Sequence, residues 1–135
     1  MRITILGTGA WGTALARHLH AGGHQLTLWD HDTPNLLRLA AEGRNEKYLP
    51  GVELPRDLHC EPELDRAWPG SELVVMAVPS KAFRTVSRTL AGFTGVALSV
   101  TKGIEFETGA TMSHIRAECA PQARRAALSG PTLAL

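Results

Sequence analysis

The chain has 135 residues, of which 44% are hydrophobic and 20% charged, with a formal net charge of +1. A chain of this length buries roughly two-thirds of the surface its unfolded form exposes, so one compact core needs neither disulfides nor metal. Separate cofactor and substrate domains do not fit in it, and 14 Lys plus Arg against 13 Asp plus Glu argue against a nucleic-acid binder that works by neutralising phosphates. Cys60 and Cys119 lie far apart without a CxxC pair, which suits reduced cytosolic thiols. No apolar run approaches the roughly 18 residues needed to span a bilayer. Met1 to Ala16 is apolar with one early arginine, as in a signal peptide, but Gly7, Gly9 and Gly12 break the run. The expected location is cytoplasmic.

Short β-like runs alternate with helical stretches along the whole chain. Ile3 to Leu6 is a strand that stops at Gly7. A helix follows over Ala10 to Ala21, with Trp11, Ala14, Leu15 and Leu19 at helical spacing, and Gly22-Gly23 ends it. Leu26 to Trp29 is a second strand closed by Asp30; Thr33 then caps a helix with Pro34 at its first position, carrying Leu36, Leu37, Leu39 and Ala40. Residues 43–55 read as a polar loop, and residues 57–68 fit a short strand and one helical turn.

Leu73 to Val78 is apolar on both faces, as a central parallel strand is. Ser80 caps the next helix, where Phe83, Val86 and Leu90 share a face; Val96 to Val100 is a strand, Met112, Ile115 and Cys119 mark a helix, and Ala126 to Leu128 is a final strand. This alternation predicts an α/β fold, a doubly wound, mostly parallel Rossmann-type sheet forming one domain over residues 1–135.

Gly7-Thr8-Gly9-Ala10-Trp11-Gly12 is a GxGxxG between a strand and a helix, and Asp30 closes the next strand 18 residues after Gly12. That context matches a dinucleotide-binding fingerprint. Gly7 serves the tight turn, Gly9 lets the backbone approach a pyrophosphate, and Gly12 lets the helix pack on the sheet. The helix N-terminus turns free N–H groups and a positive dipole end toward the phosphates. A carboxylate at Asp30 accepts a hydrogen bond from a ribose 2′-hydroxyl and repels a 2′-phosphate, favouring NAD over NADP. His31 beside it offsets that repulsion when protonated, so NAD and NADP both stay open.

Ligands in such sheets gather beyond the carboxyl ends of the strands. Three further segments fall there: Val78-Pro79-Ser80, Thr101-Lys102-Gly103-Ile104-Glu105 and Ser129-Gly130-Pro131-Thr132. Lys102 puts an ammonium at the mouth of the crevice. His18 and His20 do not share a helix face, His59 and His114 stand alone, and no HExxH or GxSxG occurs; neither a metal site nor a covalent nucleophile is expected.

Together these segments resemble bacterial NAD(P)-dependent glycerol-3-phosphate dehydrogenase. The residues that carry the resemblance are Gly7 to Ala16, Leu28-Trp29, Asn45 with Tyr48-Leu49-Pro50-Gly51, Ala77 to Ser80, Thr101 to Glu105, Thr108-Gly109 and Ser129 to Thr132. The resemblance implies reduction of dihydroxyacetone phosphate to sn-glycerol 3-phosphate with NADH or NADPH, for glycerophospholipid synthesis. It implies that Ala10, Trp11, His31 and Tyr48 line the dinucleotide, with Ala134 also on the cofactor side. Lys102 then lies near both nicotinamide and substrate, and Gly130 and Thr132 lie on the substrate side. It also implies a homodimer in the full-length form. The chain departs from the family at Ala10, where serine is frequent, at Asp30, where a small residue is frequent, and at Leu133, where phenylalanine is usual. The family continues into a helical domain that carries a general acid/base lysine, so these residues correspond to its cofactor half, expected to bind nucleotide weakly and to turn over little or nothing. A free-standing nucleotide-sensing module, or the cofactor domain of another two-domain dehydrogenase, is the competing assignment.

Overall fold

A computed structural model describes residues 1–129. The element order is β1 (Arg2–Leu6), α1 (Ala10–Ala21), β2 (Gln25–Trp29), α2 (Thr33–Glu42), β3 (Arg44–Asn45), β4 (Leu49–Glu53) and β5 (His59–Cys60). It continues with α3 (Leu64–Ala67), β6 (Leu73–Met76), α4 (Ser80–Arg88), β7 (Val96–Ser99), α5 (Met112–Cys119) and β8 (Arg124–Ala127). Six strands form one sheet in the order β5-β2-β1-β6-β7-β8, every neighbouring pair parallel. The chain winds outward from β1 to β2 on one side and to β6 on the other, which places the switch point between β1 and β6.

The apolar runs explain the layering. Ile3, Ile5, Leu26, Leu28 and Val75 face one cluster closed by Ala16 of α1 and by Leu36 and Leu39 of α2. Leu6, Val74 and Met76 face the other, closed by Phe83 and Val86 of α4 and Ile115 of α5. Helices on both faces leave the central strands no polar side, so continuous apolar runs belong there. The polar exception in β1 is satisfied: the Thr4 hydroxyl donates to the Ala67 carbonyl at 2.8 Å and lies 2.6 Å from the Ser71 hydroxyl.

Several local expectations shift by a residue or more. Asp32 caps α2 in place of Thr33, accepting the Asn35 N–H at 3.2 Å; Thr33 and Pro34 become the first two helical positions, where a missing N–H costs nothing. Pro79 is the N-cap of α4, so Ser80 is its first residue and gives no side-chain cap. In α1 the buried positions are Gly12, Thr13 and Ala16, whereas Trp11 is 53% exposed; the helix is turned so that its glycine, not its bulkiest residue, meets the sheet. Residues 43–55 are not plain loop: β3 and β4 pair antiparallel with an irregular register at Arg44/Asn45. Pro50 and Gly51 hid this strand, and both are tolerated because the ribbon has free edges. Gly22 caps α1. β6 ends at Met76, two residues early, where the glycine turn crosses over Ala77 and Val78. The expected short strand and helical turn in residues 57–68 are β5 and α3.

Phe83 is fully buried beneath α4. Its replacement by alanine is expected to cost about 3–5 kcal/mol, read as a fall in the urea midpoint with an unchanged slope.

Candidate functional site

The carboxyl ends of β1, β2, β6, β7 and β8 open on one edge of the sheet, because all are parallel. The glycine turn crosses that edge at the switch point. Gly7 has φ +108° and donates its N–H to the Trp29 carbonyl at 2.8 Å. A Cβ on it would lie 2.7 Å from the Ala77 carbonyl group, and one on Gly12 only 1.9 Å from the Gly7 carbonyl oxygen. Both glycines are therefore dictated by close backbone approach. Gly9 differs: a Cβ there meets nothing within 4 Å, so its face is open space above the N-terminus of α1. No side chain caps that N-terminus and no acidic residue occupies its first turn. Its leading N–H groups are left for an anion, and the cradle fits a dinucleotide pyrophosphate.

A buried polar network holds this turn from behind. The Asp30 carboxylate, 6% exposed, accepts the Thr8 N–H at 2.5 Å and the Thr8 hydroxyl at 3.0 Å through Oδ2. Its Oδ1 accepts the Asp32 N–H at 2.9 Å and lies 3.0 Å from His31 Nδ1. On the other side of the peptide, Asn45 Nδ2 donates to the Thr8 carbonyl and to the Thr13 hydroxyl, both at 2.8 Å, while Asn45 Oδ1 accepts from Asn35 at 3.1 Å. The turn after β3 is held as well, by Lys47 Nζ on Asp32 Oδ2 at 2.6 Å, with the ammonium 5.1 Å from the Tyr48 ring centroid. That contact holds the Asp32 carboxyl below its ordinary range and raises Lys47.

Lys102 lies at the far end of the same edge, in the segment between β7 and α5. It is exposed and lines a cavity of about 290 Å³ with Ser99, Thr101, Ser113, Arg116 and Ser129. Thr101 anchors the segment by donating to the Val78 carbonyl at 2.7 Å and to the Met76 carbonyl at 3.2 Å. Arg116, 1% exposed, donates from one nitrogen to the Ala97 and Ala126 carbonyls, and burial pushes its pKa down. Glu105 accepts a two-pronged contact from Arg84 (2.7 and 2.9 Å) and the Thr108 hydroxyl at 2.6 Å. Mainly through Arg84, its carboxyl is held down to about 2. A larger cavity, about 890 Å³ between Met1, Trp68, Phe93 and Arg124, is at the opposite edge and shares no residue with the glycine turn.

The structure thus gathers Gly7, Gly9, Ala10, Trp11, Gly12, Asp30 and His31 around one turn, with Tyr48 on the neighbouring ribbon and Lys102 along the edge. Asp30 is turned inward to Thr8, which differs from the outward, ribose-facing carboxylate expected of it. Gly130, Thr132 and Ala134 lie outside the described residues. Thr8, Thr13 and Asn35 went unread, and only the polarity of Thr8 inside a glycine motif hinted at them. Among the described residues no group of three His, Cys, Asp or Glu is arranged to hold a metal, and no helix is long and apolar enough to cross a membrane.

Residues 2–135 match the family model described as NAD-dependent glycerol-3-phosphate dehydrogenase N-terminus. A glycerol-3-phosphate dehydrogenase [NAD(P)+] from Anaeromyxobacter sp. (strain K) is 44% identical over 141 residues, covering 99% of this chain and 42% of the relative; the chain thus spans less than half that relative's length. The crystal structure of glycerol-3-phosphate dehydrogenase from Coxiella burnetii superposes with a TM-score of 0.88 at 31% identity, covering 98% of this chain and 41% of that one. The yeast glycerol-3-phosphate dehydrogenase structure has the same fold (TM-score 0.81, 23% identity, covering 98% of this chain and 42% of that one).

Asp30→Ala strands the buried Thr8 N–H, and we expect a loss of about 1–3 kcal/mol together with weaker quenching of Trp11 fluorescence by NADH. The Glu105 carboxyl is lowered in the folded state, so its stabilising contribution is complete above about pH 4.5 and is lost as the pH falls toward 2. Carboxyl-carbon NMR titration of Glu105 checks this; Arg84→Met is expected to return its midpoint toward 4.5.

Proposed function

This chain belongs to the family of NAD-dependent glycerol-3-phosphate dehydrogenase N-terminal domains, and we propose that it forms the dinucleotide-binding part of an enzyme moving hydride between NAD(P)H and dihydroxyacetone phosphate, giving sn-glycerol 3-phosphate for glycerophospholipid synthesis. The observation that carries this reading is one sheet edge with an open glycine cradle at the switch point and a lysine further along it. The cofactor is NAD or NADP; when bound, its reduced nicotinamide supplies the hydride.

The chain's own residues then have separable tasks. Gly9 and the α1 N-terminus hold the pyrophosphate, Ala10 and Trp11 lie beside it, and His31 and Tyr48 border the adenosine side. Lys102 presents a fixed positive charge where the substrate's carbonyl oxygen gains electron density, an electrostatic contribution that is largest in a site shielded from water. Gly130 and Thr132 belong to the substrate side and Ala134 to the cofactor side of the same reading, as does action in the cytoplasm as a homodimer.

The test is NADH oxidation with dihydroxyacetone phosphate by the polypeptide as its gene encodes it. We expect turnover, and a loss in Lys102→Met of about 100-fold or more, the scale for removing one electrostatic donor. Quenching of Trp11 by NADH without any oxidation of it would replace the dehydrogenase reading with a nucleotide sensor.

A further inference from the structure

We propose that Arg84, on the outer helix α4 and absent from the crevice, is the positioning residue for Lys102, acting through Glu105. The inference rests on the reading of Lys102 as a group of the reactive site.

Between the buried Val100 and the core-packed Ala110, the segment from Thr101 to Gly109 has little apolar packing to hold it. Phe106 is 96% exposed and Ile104 is also on the surface, so the path of this stretch is set by polar ties. At its start, Thr101 bonds to the Met76 carbonyl at the end of β6 and to the Val78 carbonyl just beyond it. Three residues beyond Lys102, the Glu105 side chain is gripped by the Arg84 fork, with Nε on Oε2 at 2.7 Å and Nη2 on Oε1 at 2.9 Å. The Glu105 main chain closes the rest of the turn: its N–H donates to the Ala110 carbonyl at 2.8 Å, and its carbonyl accepts the Gly109 N–H at 2.7 Å. Lys102 and Gly103 are therefore strung between two anchors, one on β6 and one on α4.

The second anchor is stiff for three reasons. Phe83, next to Arg84, is fully buried, so α4 cannot shift easily. Nη1 of Arg84 also bonds Glu118 of α5 at 2.7 Å, so the guanidinium is held from both helices. Finally, the pair is shielded, with side-chain exposures of 22% for Arg84 and 11% for Glu105; a forked, shielded contact defines geometry better than an exposed single one. A lysine at position 84 keeps the charge and loses the fork.

The experiment is a double-mutant cycle on the polypeptide as its gene encodes it, measuring kcat, KM and NADH affinity for Arg84→Met, Lys102→Met and the pair. Arg84→Met is expected to lower kcat by about 10- to 100-fold, the scale of a small misplacement of a positioned group, and to leave NADH affinity within about two-fold. Arg84→Lys and Glu105→Gln are expected to follow it. With Lys102 already removed, Arg84→Met is expected to have almost no further effect, since residues that act as one unit are non-additive. An equal fall in both backgrounds, or a fall in kcat that tracks the unfolded fraction at the assay temperature, overturns the proposal. If Lys102→Met alone leaves kcat unchanged, the reading of Lys102 fails first and the inference goes with it. Amide exchange on this chain gives an independent readout: faster exchange over residues 101–105 in Arg84→Met, with β7 unchanged, is the expected pattern, and unaltered exchange contradicts it.

Discussion

The hydrogen bonds that the Thr8 N–H and carbonyl make away from the crevice are the constraint on which the site depends. A glycine turn that presents its outer face to a ligand must leave that face without protein contacts, and a turn without contacts has no defined shape. Here the inner face supplies the definition. Asp30 takes the Thr8 N–H and Asn45 the Thr8 carbonyl, so the backbone is gripped at both polar groups while Gly9 stays open. Buried backbone groups demand partners in any case; the arrangement meets that demand and builds the cradle with the same atoms. It also explains why the β3–β4 ribbon exists. Asn45 must arrive from outside the main sheet, and the ribbon with its Lys47 contact to Asp32 carries it in.

The lysine end of the edge follows the same logic with different chemistry. Strand β7 ends at Ser99, and beyond the buried Val100 the chain carries exposed residues over the crevice, where apolar burial is not available to hold them. Thr101 and Glu105 substitute polar ties for packing, one to main-chain carbonyls and one to a guanidinium. Both segments are thus cantilevered from the rigid sheet, and each is held at its root by a side chain whose own position is fixed by the core. The helices do more than cover the sheet. Helix α4 carries Arg84, and α2 carries Asn35, which orients the Asn45 amide.

Much of this was legible in the sequence because hydrophobic period and glycine spacing are local signals. The alternation of runs such as Leu73–Met76 with amphipathic stretches was enough for the parallel order, and GxGxxG at a strand-to-helix junction located the cradle. The errors have physical causes. Thr33 and Asp32 are both good caps, and which one serves depends on where the chain leaves β2, a tertiary matter. Trp11 reads as a buried residue by type, yet the close approach of Gly12 to the Gly7 carbonyl rotates α1 and leaves Trp11 outside. The β3–β4 ribbon contains proline and glycine and has almost no period to detect. The Arg84–Glu105 contact joins residues 21 apart, and no local pattern announces such a pair.

Asp30 is the instructive case, because its position was read from the sequence and its orientation was not. A carboxylate has about four acceptor sites, and here four donors surround it: the Thr8 N–H and hydroxyl, the Asp32 N–H and the His31 ring. Three of these are main-chain or buried groups that cannot leave without cost. The fourth, His31, is largely exposed. An acid at the end of the second strand therefore need not face a ribose to matter. Turned inward it becomes part of the turn's support, while its other oxygen lies beside the His31 ring at the surface. The residue's place in the motif says that an acid belongs there; the competing donors around it decide what that acid does.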